Sequence, residues 1–187
     1  MNENTKGKII PLSLSLVVII LDQLTKFLVV KFIPRFSVFA DDAVIEICGK
    51  YLRLIHVRNK AIAFSMGSNL SANVRGVLFM ILPLLVVAAV YVIYFRNNEF
   101  SKLQRWAICG ILGGGMGNLI DRFFRSDGVV DFIDCYFFGI LGMERWPTFN
   151  IADSAVVICG VLFVVTFLFQ MKGDIQSAKR EKQESSR

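Results

Sequence analysis

Charge is scarce in this chain, and histidine scarcer still. Only 19% of its 187 residues are Asp, Glu, Lys or Arg, 55% are hydrophobic, and the mean hydropathy is +0.57. A soluble domain of this length needs more polar surface than that, so the composition excludes the ordinary globular classes and points to a bilayer. A single histidine, His56, with no HExxH and no Cys/His cluster, leaves nothing to build a metal site from. No CxxC pattern occurs among Cys48, Cys109, Cys135 and Cys159. Cys109 and Cys159 sit inside apolar runs as small packing residues, while Cys48 and Cys135 fall in loops where pairing is open but not demanded by their spacing. Internal repeats and low-complexity linkers are also missing, so the chain reads as one domain.

Four apolar stretches approach the roughly 20 residues that span about 30 Å of hydrocarbon. They are residues 9–30, 76–95, 103–124 and 151–171. The first follows Lys6 and Lys8 but is long, carries Asp22, Gln23 and Lys26 and has no small-residue cleavage site, so it reads as a retained helix and not a signal peptide. The expected fold is therefore an all-α membrane protein: four transmembrane helices in a domain spanning residues 1–171, with a basic, solvated cytoplasmic tail at 172–187. Loops 33–75 and 125–148 lie on one side, and 96–102 with both termini on the other. Ten of the 21 Lys and Arg crowd the short terminal-side segments, which places both termini in the cytoplasm. The net charge of +6 suits anionic membrane lipids and calls for no nucleic acid.

In the first outer loop, "AVIEICGKYLRLIHVRN" holds two β-prone runs around Gly49 and Lys50, which predicts a small β-containing extracytoplasmic platform. In the third span, Gly110 with Gly114 and Gly113 with Gly117 share a helical face and let another helix approach closely. "GILGGGMGN" has no preceding strand and cannot be a phosphate loop.

Topology brings the intramembrane polar residues together whichever side is outside. Asp22 and Lys26 end the first span, Asn118, Asp121 and Arg122 end the third, and Asn150 and Asp153 begin the fourth. Charges near a helix centre cost at least about 2.5–3.5 kcal/mol, so they persist where they are paired, hydrated or used. Asp22 and Lys26, four apart, neutralise each other, with substrate positioning as a lesser role. Asp121 reaches Arg125 by the same spacing, and Arg122 either braces the pocket or meets headgroups. Asp153 has no basic residue within one turn, only Asn150, and a second carboxylate beside it would make a proton-sharing pair. The candidates are Asp121, Asp127, Asp131 and Asp134. Asp127 reads as a turn residue before Gly128, while Asp131, among Val129, Val130, Phe132 and Ile133, is expected to be the most desolvated and ranks first, with Asp121 second. His56 reads as a packing or rim residue. A Ser–Lys dyad of Ser154 or Ser65 with Lys26 is the competing nucleophilic design.

"DQLTK" (22–26), "NKAIAFSM" (59–66), "GGGMGNLIDR" (113–122), "VVDFI" (129–133) and "FNIADSAV" (149–156) resemble, in order and setting, the motifs of lipoprotein signal peptidase, the type II signal peptidase of bacteria. The resemblance covers residues 9–171. It implies an intramembrane aspartic endopeptidase of the inner membrane that cleaves prolipoproteins just before a diacylglyceryl-modified cysteine, without metal or cofactor. By the same resemblance Asp131 and Asp153 are the catalytic pair, and Asn118, Arg122 and Asn150 shape the pocket. Asp121 is a structural neighbour, Asp22, Lys26 and Asn59 belong to the first two motifs, and globomycin-type inhibitors are expected at the same site. Ala61 and Gly115 depart from the usual glycine and alanine, which touches substrate and inhibitor fit more than chemistry. A small proton- or cation-coupled transporter is the alternative, and it requires polar residues across the full membrane thickness.

Overall fold

The computed structural model describes residues 3–37, 43–59 and 80–184. Ser65, Ala61 and the other residues between 60 and 79, which include most of the "NKAIAFSM" motif, lie outside them. A short helix α1 (Glu3–Ile9) leads into α2 (Leu12–Phe32). In α2 the usual amphipathic pattern is inverted: Asp22 and Lys26 are fully buried while Leu16, Ile20, Leu24 and Phe27 are about half exposed. An apolar solvent around the helix explains that inversion, since lipid tails cover the leucines at no cost and the charges must turn inward.

Helix α3 (Leu82–Arg96) begins with Pro83 in its first turn and ends at Asn97. Helix α4 (Lys102–Phe124) starts on a reciprocal capping box, in which Ser101 Oγ accepts from the Gln104 amide and Gln104 Oε1 accepts from the Ser101 amide. It is the central helix, lying against α2 on one side and against α5 (Ile151–Glu184) on another. Its glycines permit both approaches. A Cβ on Gly113 would come within 2.8 Å of the Ser15 backbone, and one on Gly114 would strike the Ala152 carbonyl. The helix interface is therefore bare backbone against backbone, as the glycine spacing implied.

Three antiparallel strands cover the helix ends in the order β1 (Val44–Glu46), β2 (Leu52–Asn59) and β3 (Val129–Cys135). The first two fulfil the expected platform; the third was not anticipated, because "VVDFIDC" reads as a loop when its pairing partner is 70 residues away. A register shift between Leu54 and Val57 puts a bulge next to Asp131, whose Cα partner is Val57. Phe149 pairs with Ile133, so the start of α5 is hydrogen-bonded to β3. Val29 of α2 and Ile33, which caps its C-terminus, pack with Val130 and Phe132 beneath this junction.

Two helices, Lys6–Phe32 and Ile151–Arg180, are long and apolar enough to cross a membrane, with mean hydropathies of 1.9 and 2.4. The segment after Met171 is helical to Glu184, because "QSAKREKQE" consists largely of good helix formers. The end of the bundle away from the sheet also holds buried polar groups. Gln104 is buried against Gln170, Arg105 donates to the Asn97 and Asn98 carbonyls, and the Tyr94 hydroxyl donates to the Lys8 carbonyl at 2.6 Å.

Candidate active site

Four segments meet at the sheet-covered end. β2 ends on Asn59, β3 carries Asp131, α4 carries Asn118 and Arg122, and α5 opens with Asn150 and Asp153. Asn59 Nδ2 donates to Asp131 Oδ2 at 2.9 Å, and Asn150 Nδ2 donates to Asp131 Oδ1 at 2.7 Å. Asn118 Nδ2 donates to Asp153 Oδ1 at 2.7 Å, and the Asn150 amide donates to Asp153 Oδ2 at 3.2 Å. In return Asn150 Oδ1 accepts from the Asp153 amide at 2.9 Å. Asn150 and Asp153 thus form a capping box for α5, so Asp153 has a structural duty besides facing the site. Each of the four carboxylate oxygens accepts at least one N–H.

The two carboxylates line one cavity of about 210 Å³ together with Asn59, Asn118, Arg122 and the chain from Trp146 to Phe149. A second, mostly apolar cavity of about 430 Å³ between α3, α4 and α5 shares Asn118, Arg122 and Asp153 with it. Burial pushes the Asp131 carboxyl up to about 6, opposed by the Asn59 hydrogen bond and reinforced by the negative charge of Asp153. Arg122 lines both cavities and makes no ion pair among the described residues, so its guanidinium remains available to them.

Behind the cavity lies a charged foundation. Lys26, fully buried, contacts Asp22 at 2.9 Å, Asp121 at 3.2 Å and Asn118 Oδ1 at 2.9 Å. Asp22 Oδ1 accepts the Ala152 amide at the start of α5, and Asp121 Oδ2 accepts the Val130 amide at the start of β3. Asp121 also pairs with Arg125 at 2.9 Å, as its spacing predicted. The sequence pattern gave no separate weight to Gln23. Its Nε2 lies 3.0 Å from the Gly117 carbonyl and 3.2 Å from Asp121 Oδ1, ties that its place in "DQLTK" was the only hint of.

Several expectations about the acids are sharpened. Asp131 is not the most desolvated of its group: it is 3% exposed, against 2% for Asp134 and 0% for Asp121. What sets it apart is the absence of a salt bridge. Asp134 is held by Arg53 and Arg145, Asp121 by Lys26 and Arg125, and Asp127 by Arg35 and Arg58. Asp121, the second choice for the partner of Asp153, has both oxygens committed to these structural contacts. His56 is buried, with Nδ1 on the Ile33 carbonyl and Nε2 accepting from Arg58, so neither nitrogen is free to act as a base. Its pKa is lowered, first by burial. Ser154 donates within its own helix to the Asn150 carbonyl, and Lys26 is fully engaged elsewhere, which removes the Ser154–Lys26 dyad. Cys48 and Cys135 are free thiols.

The model of the family described as "Signal peptidase (SPase) II" matches residues 14–169. A lipoprotein signal peptidase of Treponema denticola is 48% identical over 167 residues, covering 89% of this chain and 93% of the relative. One from Borrelia turicatae is 43% identical, covering 82% and 86% respectively. A solved structure described as a bacterial membrane enzyme superposes with a TM-score of 0.72 at 26% identity, covering 87% of this chain and 90% of that one. With a family match across most of its length and close relatives covering both chains, the chain belongs to the signal peptidase II family.

Proposed function

We propose that Asp131 and Asp153 are the catalytic dyad of an intramembrane aspartic endopeptidase, which removes the signal peptide from diacylglyceryl-modified prolipoproteins by cleaving just before the lipidated cysteine. Membership of the signal peptidase II family supports a membrane peptidase that removes signal peptides from prolipoproteins, and leaves the transporter alternative without support. The observation that carries the aspartic assignment is the pair of carboxylates in one cavity, neither in a salt bridge, each oxygen held by an N–H donor.

In the proposed mechanism one carboxylate is ionised and the other protonated. The ionised one takes a proton from water as its oxygen attacks the scissile carbonyl, and the protonated one donates to the carbonyl oxygen as charge develops there. Collapse of the tetrahedral species breaks the C–N bond and passes a proton to the leaving amine, which restores the shared-proton state. Asn59, Asn118 and Asn150 hold both carboxyls in register, and Arg122 steadies charge at the cavity wall. The apolar cavity that joins at Asp153 suits the hydrophobic part of the substrate, and globomycin-type inhibitors would occupy the same place.

The corresponding topology has α2, α3, α4 and α5 as four spans of the bacterial inner membrane, with both termini cytoplasmic and the dyad near the extracytoplasmic face. Lys6, Lys8, Arg96, Lys102 and Arg105 cluster at the opposite end, as a cytoplasmic end requires. The deciding experiment presents the purified protein with a diacylglyceryl-modified precursor and its unmodified counterpart. Cleavage of the modified form alone, abolished by Asp131→Asn and by Asp153→Asn, is expected. Full activity in either variant would sink the dyad.

A further inference from the structure

At the end of the bundle away from the carboxylates, five basic side chains gather, and they divide into two kinds. Lys8 donates to the Phe95 carbonyl at 2.8 Å and to Asn98 Oδ1 at 2.7 Å, closing the C-terminus of α3. Arg105 donates to the Asn97 and Asn98 carbonyls and lies 5.9 Å from the centre of the Tyr94 ring. Both are consumed in holding the α3–α4 connection. Arg96 is in the last turn of α3, where its charge favours the helix dipole. Lys6 and Lys102 are different. Neither makes an ion pair or a side-chain hydrogen bond among the described residues, and both line the same cleft of about 470 Å³.

The remaining walls of that cleft are Gly7, Ile10, Pro11 and Trp106. Gly7 leaves open space where a side chain would stand, Ile10 is 55% exposed and Trp106 38%. Lys102 is also the first residue of α4, a position where its charge opposes the helix dipole, so helix stability does not account for it. Two exposed ammonium groups without a protein partner share a cleft with Ile10, Pro11 and Trp106, an arrangement matched by a ligand that is anionic at one end and apolar at the other.

We propose that this cleft is a binding site for an anionic phospholipid of the leaflet opposite the dyad. The phosphate lies between Lys6 and Lys102, and an acyl chain covers Ile10 and Trp106. The chemistry that favours a lipid over a soluble phosphate is the apolar wall of Ile10, Pro11 and Trp106, of which Ile10 and Trp106 are exposed; basic pockets and interfacial tryptophans are the elements that hold headgroups in place. The site shares no residue with the dyad cavity, and lipid retention is read independently of the peptidase reading.

Native mass spectrometry of the full chain released from nanodiscs of phosphatidylcholine containing phosphatidylglycerol measures the occupancy. One phosphatidylglycerol is expected to be retained per chain, with a preference over phosphatidylcholine on the order of tenfold. Lys6→Gln/Lys102→Gln is expected to lose that preference while keeping precursor cleavage in pure phosphatidylcholine and an unchanged melting temperature. Lys172→Gln/Lys179→Gln, which removes the same charge from the far end of α5, is expected to keep it. Retention by the first variant, or equal loss by the second, overturns the proposal. So does displacement of the lipid by millimolar glycerol phosphate, which would make the cleft a site for a soluble anion.

Discussion

The ammonium of Lys26 sits 2.9 Å from the side-chain oxygen of Asn118, and this contact determines which way round that amide lies. An ammonium only donates, so the atom it meets must be Oδ1, and Nδ2 is left to face Asp153. Asn150 is fixed by the same logic: the Asp153 amide takes its Oδ1, and its Nδ2 is turned to Asp131. Donors without an alternative role thus orient two amides toward two carboxylates.

Removing the ammonium should be costly. Lys26→Met leaves Asp22 fully buried with no cation beside it, and breaking a buried pair in this way costs about 3–5 kcal/mol. Thermal unfolding in detergent should show a drop of several degrees, together with a fall in kcat larger than any change in KM, because Asn118 loses its fixed orientation. An unchanged melting temperature would mean that Asp22 is satisfied elsewhere.

Asp131→Asn should trade activity for stability. The Asp131 carboxyl titrates at about 6 in the folded protein against an ordinary value of 3.8, so between those values the folded chain holds a proton that the unfolded chain has released. Wild-type stability therefore falls as pH rises from about 4 to about 6 and stays reduced above it. Asn carries no such penalty. The variant should melt higher than wild type at pH 7, match it near pH 4, and cleave at least about 10²-fold more slowly. Melting curves at the two pH values check the first part and precursor cleavage the second.

The pH dependence of cleavage should carry the same signature. With Asp131 as the proton-holding member, kcat/KM declines on the alkaline side with an apparent value near 6 that belongs to the coupled pair. The Asn59 amide favours the ionised form of Asp131, so Asn59→Ala should move that limb to higher pH. A limb that stays in place, or moves down, would show that another group governs it.

The glycine face of α4 offers a structural control. Gly114→Ala drives a methyl group into the Ala152 carbonyl and should cost about 1–3 kcal/mol while slowing cleavage, since it separates Asn118 from Asp153. Gly160→Ala, with nothing within 4 Å of its new methyl, should be neutral or slightly stabilising. Melting temperatures of the two variants, read side by side, distinguish helix approach from a general intolerance of glycine replacement.

Much of the site was legible because a membrane simplifies the reading. In an apolar solvent, a carboxylate in a hydrophobic run cannot be an idle surface charge, and chain direction alone brought Asp22, Lys26, Asn118, Asp121, Asn150 and Asp153 to one end. The i, i+4 pairs Asp22–Lys26 and Asp121–Arg125 followed from helical spacing. What escaped the sequence were the long-range partnerships. β3 became a strand because β2 lies beside it, and the distinction between Asp131 and its neighbours came from where Arg53, Arg145, Lys26 and Arg125 happen to reach. Local apolarity ranked Asp131 first for burial, whereas freedom from salt bridges is what separates it.

The hydrogen bond from the Ala152 amide to Asp22 Oδ1 links residues 130 positions apart, tying the first long helix to the last. Synthesis runs from one to the other, so Lys26 and Asp22 enter the bilayer well before the helix they anchor exists. A ribosome-bound chain that stops short of residue 152 holds neither Asp153 nor the amide that Asp22 awaits. On the proposed dyad, a nascent chain therefore lacks one of its two carboxylates until the final helix is made, and until then Asp22 lacks the amide it accepts.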